Sequence, residues 1–218
     1  MAPVDRRELA RRALAGYVNG PAAAIEATAL ALEKTGDALA VLLVEGISDQ
    51  IAVETAAAGR GRDLTAERVV VVPIGGAHAI SRFLTRFDPG VRLAGLYDVR
   101  EEAVIRRGLG APDADLERLG FFACVNDLED ELIRAVGTAE VESLFATQGD
   151  LGAFRSMRNQ PAWRDRPADA QMRRFLSGGS RRKLRYARLL VELSVERGTL
   201  ARPLDALLTH VSPDAGSA

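Results

Sequence analysis

The sequence predicts an α/β fold: a parallel sheet flanked by helices, with a helical segment before it and a helical region after it. Three observations predict it. The runs "ALAVLLVE" (38–45), "ERVVVVPIGG" (67–76) and "VRLAGLYD" (91–98) have strand length. They are nearly continuous in apolar residues, the pattern of strands covered on both faces. The stretches between them have helical spacing, and such alternation implies right-handed parallel crossovers. Beyond residue 127 the rhythm is helical throughout.

Residues 5–34 read as two helices broken near "NGPAAA", rich in Ala, Leu, Arg and Glu, with Pro21 suited to the first turn of the second. An N-terminal helical segment is therefore expected over 1–37. The α/β unit is expected over 38–135. In it "SDQIAVETAAAG" places Ile51, Glu54 and Thr55 on one helix face, and "AHAISRFLTRF" does the same for Ile80, Phe83, Leu84 and Phe87. "REEAVIRRGLG" is a helix closed by glycine, and "GFFACV" (120–125) is a fourth strand. A helical region packed on the sheet unit is expected over 136–210, interrupted by the Pro/Trp loop "QPAWRDRP" (160–167). Residues 211–218 read as a disordered tail.

At 218 residues the chain can hold one sizeable domain, or one domain with a helical annex. No window approaches the roughly 18 uninterrupted apolar residues of a membrane span. The charged N-terminus has no apolar core of a secretory signal. Cys124, a single cysteine within the apolar run "GFFACVND", suits a buried filler in a reducing cytoplasm. A net charge of −1 excludes a global attraction to nucleic acid. Its distribution does not: "RRFLSGGSRRKLRYAR" carries seven basic residues and no acid, which permits a local phosphate-binding face.

Ligands of open α/β sheets bind outside the carboxyl ends of the strands. Here those ends carry Glu45-Gly46, Gly75-Gly76, Asp98 and Asn126-Asp127 in turn. Glu45, Asp49, Asp98, Glu101, Asp127, Glu129 and Asp130 thus gather at one predicted edge. Carboxylates packed together repel unless cations neutralise them, and hard ions such as Mg²⁺ and Mn²⁺ take oxygen ligands. Gly46 lets backbone pass close to a phosphate, and Ser48 is expected to cap the next helix. Each acid also has a plainer reading: Asp49 and Glu101 as first-turn helix acids, "NDLEDEL" as a capped helix start, Gly75-Gly76 as a turn. No Cys/His set for zinc exists, and His78 and His210 read as satisfied or exposed.

"VEGISD", "PIGG" and "LYDVRE", in this order on a βαβαβ spacing, resemble the Toprim domain of topoisomerases, bacterial primases, repair proteins and the overcoming-lysogenisation-defect (OLD) nucleases. Residues 38 to about 110 carry the match, which implies a Toprim-like Rossmannoid sheet. The OLD-type likeness is closer, through Ser48 and Asp49, the acidic "NDLEDEL" and Lys183 in its basic helix, and extends over roughly 38–190. It implies a two-metal DNA endonuclease or nickase using Mg²⁺ or Mn²⁺, one or two ions. Glu45, Asp49, Asp98, Glu101, Asp127 and Glu129 would be ligands, with Glu45 a possible general base and Lys183 stabilising phosphate charge. Gly75, Gly76, Arg100, Arg181, Arg182 and Arg185 would contact nucleic acid. Two departures stand out. Arg100 follows Val99 where the second Asp of an Asp-x-Asp motif belongs, so either Glu101 replaces it, or Arg100 contacts phosphate, or the site is depleted.

The other departure is the missing ATPase: OLD nucleases carry one, but no "GxxxxGK[ST]" occurs here. A stand-alone Toprim protein with a separate ATPase partner is expected, and a homodimer is allowed. The basic helix is alternatively a solvated face, and Trp163 and Tyr186 read as core rather than as stacking surfaces. DNA is the first substrate class and RNA the second, since one Toprim group matures ribosomal RNA. A catalytically weak nucleic-acid-binding or partner-interaction module is the alternative function.

Overall fold

The four expected strands all form, and all pair in parallel. In the computed structural model, which describes residues 6–18 and 20–212, they are β1 Ala40–Val44, β2 Val69–Pro73, β3 Arg92–Asp98 and β4 Phe121–Cys124. Their order is β2-β1-β3-β4. Burial on both sides explains their continuous apolar character. Ala40, Leu42 and Val44 enter one core layer, while Val41 and Leu43 enter the other. The alternation is the strand's period of two, with both faces covered.

Helix α1 (Arg6–Ala13) and helix α2 (Ala23–Glu33) precede the sheet. Helix α3 (Ile47–Gly59) comes after β1 and lays Ala52, Val53, Ala56 and Ala57 on one face. Helix α4 (Ile80–Leu84) and helix α5 (Glu102–Leu109) cover the other through Ile80, Phe83 and Ile105. Gly95 marks where the sheet tolerates no side chain: a Cβ there would lie 2.4 Å from the Leu43 carbonyl oxygen. Leu42, Leu43 and Ile51 are fully buried, and truncation of such residues to alanine costs about 2–5 kcal/mol each.

Among the described residues six helices follow β4: α6 Leu128–Val136, α7 Thr138–Thr147, α8 Leu151–Arg158, α9 Ala168–Ser177, α10 Ser180–Glu196 and α11 Arg202–His210. Their apolar faces join the core layer under α3. Phe145 is the hub, with ring centroids 5.0 Å from Phe154, 5.0 Å from Phe175 and 5.2 Å from Tyr186. Gly59 of α3 packs on Val195 of α10 so closely that a Cβ would lie 2.9 Å from Val195 Cγ1.

Cys124 is buried, as its apolar run suggests, and Tyr186 is buried as core, whereas Trp163 is only half-buried, with Arg174 5.9 Å over its ring. His210 is half-buried edge-on against Phe122, and His78 is exposed. Of the expected tail, Val211 is buried in the core and residues 213–218 lie outside the described residues, as do 1–5 and 19 of the N-terminal segment. Among the described residues, no helix is long and apolar enough to cross a membrane.

Candidate metal centre

Strand order decides where the site lies. Because β1 is flanked by β2 on one side and β3 on the other, the connections leaving β1 and β3 diverge, α3 to one face and α5 to the other. That divergence opens a crevice at the carboxyl ends of β1 and β3. Glu45 is the residue after β1, and Asp98 ends β3. A single 3-10 turn, Val99–Glu101, then brings Glu101 back over the crevice.

Glu45, Asp98 and Glu101 each offer a carboxylate oxygen, and these oxygens all lie within 4.8 Å of one another. Glu45 is exposed, Glu101 half-buried and Asp98 buried. An all-oxygen set of this size, open on one side, fits a hard divalent cation. The electrostatics carry the same message. Burial, and then the charge of Glu45, push the Asp98 carboxyl up to about 6. Burial and Glu45 also raise Glu101, against the opposing charges of Arg100 and His78. The trio is short of positive charge.

Gly75 and Gly76 turn the chain after β2 with φ of +78° and +113°, values that favour glycine. The pair reads from the sequence as a turn or as a nucleic-acid contact. Both amides donate to the Glu45 carbonyl, at 3.0 and 3.3 Å. They pin the strand tip that carries the exposed acid.

Behind the trio lies a second group. Asp49, in the first turn of α3, accepts a hydrogen bond from the Gly46 N–H at 2.9 Å, so Asp49 and not Ser48 closes this helix end. Ser48 is buried within the turn. Burial, and then the charge of Glu129, push Asp49 up to about 7. Glu129 of α6 is buried and lies 3.2 Å from Lys183 Nζ of α10. Burial alone would lower the Lys183 ammonium, but Glu129, Asp49 and Glu45 together hold it above its ordinary value. Burial raises Glu129 in turn, with Lys183 opposing.

Other acids at this edge are already engaged. Asp127 caps α6 by accepting from the Asp130 N–H at 2.9 Å, and its second oxygen accepts from Arg173 Nε at 2.6 Å. Asp130 accepts from Asn126 at 3.0 Å and pairs with Arg134; Glu131 accepts from the Val125 N–H at 2.8 Å. Arg173 opens the basic stretch 173–188, but no local pattern pairs it with Asp127. It reaches Asp127 only because α9 packs against α6.

The basic helix divides. Arg181 is exposed at the start of α10. Arg182 turns back, donating to the Phe175 carbonyl at 2.9 Å with its guanidinium 4.0 Å from the Phe175 ring centroid. Arg185, expected to contact nucleic acid, is buried and ion-paired with Asp150, which also accepts from Tyr186 Oη at 2.9 Å. The helical period explains the correction: Arg185 falls on the core face of α10 beside Tyr186. Arg100 leans over the crevice, its Nη2 2.8 Å from Asp98 Oδ2.

Residues 38–91 match the family model for the overcoming lysogenization defect protein-like TOPRIM domain. Over this segment the chain is similar to an OLD-like Toprim domain. The segment spans β1, α3, β2 and α4 and holds Glu45 and Asp49. No curated protein matches the chain. Among solved structures, the fold is similar to the C-terminal region of the Xanthomonas campestris pv. campestris OLD protein. That match has TM-score 0.59 and 21% identity, covering 82% of this chain and 94% of that one. The C-terminal region of the Burkholderia pseudomallei OLD protein is similar with TM-score 0.58 and 15% identity, over 80% of this chain and 96% of that one. The Toprim fold of this chain is therefore shared beyond the 38–91 segment.

Proposed function

We propose that this chain is a divalent-metal-dependent phosphodiesterase acting on nucleic acid, with DNA before RNA as substrate. The observation that carries the reading is the Glu45–Asp98–Glu101 carboxylate trio at the switch point of a Toprim sheet. Mg²⁺ or Mn²⁺ bound there would supply Lewis-acid polarisation of the phosphate and neutralise its charge. Asp98 and Glu101 hold the trio's inner wall. Glu45, the exposed member, would accept a proton from attacking water. Lys183 spends one N–H on Glu129 and keeps two donors for a phosphate oxygen. Asp49 and Glu129, beside Lys183, are the candidate holders of a second ion. A reducing cytoplasmic setting, a separate ATPase partner and a homodimer belong to the same proposal; the first rests on the single buried Cys124.

One observation favours a second reading. Arg100 already neutralises Asp98, so a catalytically weak nucleic-acid-binding module is the alternative. Supercoiled plasmid, single-stranded DNA and RNA incubated with Mg²⁺, Mn²⁺ or EDTA separate the two. Metal-dependent cleavage lost in Glu45→Ala and Lys183→Ala supports the enzyme. Binding without cleavage by the wild-type protein in any metal supports the module.

A further inference from the structure

Arg100 sits where a cation would be. It is two residues past Asp98, in the turn that also carries Glu101, and its Nη2 is 2.8 Å from Asp98 Oδ2. The two partners are unequal: the Asp98 side chain is 8% exposed and that of Arg100 67%. The guanidinium therefore reaches the carboxylate from the solvent side. No other hydrogen bond or ion pair to Arg100 is found among the described residues. Glu45 and Glu101 form no ion pair among the described residues, so Arg100 is the one cation in direct contact with the trio there.

We infer that Arg100 is a resident counter-ion that a divalent cation displaces from Asp98, and that the displaced guanidinium then binds the phosphodiester at the mouth of the crevice. The inference rests on the metal-dependent reading of the site. Its physical basis is competition: Asp98 Oδ2 cannot serve a guanidinium and a cation at bonding distance with full strength at once. The long, solvated arginine has somewhere to go, because its planar fork matches two phosphate oxygens. Cation and nucleic acid then help each other, since the first frees the group that the second uses, and such coupling is reciprocal. An ion pair with one partner this exposed is weak, so removing Arg100 should tighten cation binding by only about three- to tenfold.

Calorimetric titration of the nucleic-acid-free protein with Mn²⁺ tests the first half, using wild type, Arg100→Ala and Arg100→Lys. Arg100→Ala is expected to bind Mn²⁺ more tightly, and Arg100→Lys, which keeps the competing charge, close to wild type. Anisotropy of a labelled oligonucleotide in Ca²⁺ and in EDTA tests the second half. Wild type should gain affinity when Ca²⁺ is added, and Arg100→Ala should lose most of that gain. If wild type binds Mn²⁺ and Arg100→Ala binds it equally or less well, the counter-ion role is overturned while the metal site stands. If neither protein binds Mn²⁺, the metal-dependent reading falls and this inference falls with it. Tighter Mn²⁺ with an unchanged oligonucleotide gain keeps the counter-ion and removes the phosphate role.

Discussion

Lys183 Nζ lies 3.2 Å from Glu129 Oε1, tying the first turn of α10 to the first turn of α6 beside Asp49. Structure and chemistry meet in this pair, since it satisfies a buried acid and holds a cation near the crevice. Lys183→Ala should lower cleavage by at least about 10²-fold, the scale of losing one electrostatic stabiliser of a transition state. It should also cost about 1–3 kcal/mol of stability, because Glu129 is left buried without its partner. Adding Glu129→Gln should recover stability but not cleavage, which denaturant titration and plasmid nicking report separately. Recovery of both would make Lys183 a purely structural residue.

Asp150 is buried against Arg185 and Tyr186, joining the start of α8 to α10. Breaking a buried ion pair from one side costs about 3–5 kcal/mol. Asp150→Ala and Arg185→Ala should therefore lower the melting temperature markedly, while folded Arg185→Ala retains wild-type oligonucleotide affinity. A well-folded Arg185→Ala protein with weakened binding would return Arg185 to the nucleic-acid face.

Asp49 predicts a pH dependence. Its carboxyl is pushed up to about 7 in the folded protein, by burial first and Glu129 second, against an ordinary value of 3.8. Between those values the folded state binds the proton more tightly than the unfolded chain. Its contribution therefore favours folding below that window and is lost as pH rises through it. Thermal melts in EDTA from pH 4.5 to 7.5 should show wild type losing more stability than Asp49→Asn. Parallel curves would mean that Asp49 titrates normally.

Mn²⁺ should raise the melting temperature at pH 7.5. An ion present at 100 times its dissociation constant stabilises the folded state by about 2.7 kcal/mol. Asp98→Asn should lose most of that increment, because it removes the buried member of the trio. An undiminished shift would place the ion elsewhere.

Gly95→Ala tests the scaffold. Its Cβ would meet the Leu43 carbonyl oxygen at 2.4 Å, and backbone in mid-sheet cannot step aside cheaply. Overpacking costs of about 1–3 kcal/mol are typical, and the strain would fall between the strands carrying Glu45 and Asp98. Calorimetry should show a lower melting temperature. An unchanged value would mean that β1 and β3 separate freely.

Much was legible locally. The strand runs 38–45, 67–76, 91–98 and 120–125 each contain a strand of the structure, because both-face burial writes an apolar run directly into the chain. Glu45, Asp98 and Glu101 are legible because each stands at, or within three residues of, the end of an apolar run, and the structure brings their oxygens together. Gly75 and Gly76 were located as a turn, but their amides go to the Glu45 carbonyl, a partner that no local pattern names.

The sequence by itself determined the set of elements, their parallel character and the edge to which acids are delivered. These come from periodicity and from strand ends, both properties of neighbouring residues. Tertiary structure alone decided how the charges pair. Arg100 folds onto Asp98, Lys183 onto Glu129, and Arg173 onto Asp127, while Arg185 turns inward to Asp150. The physical reason is distance. A charge a few ångströms away outweighs every more distant one, and which charges come that close is set by how α6, α9 and α10 pack.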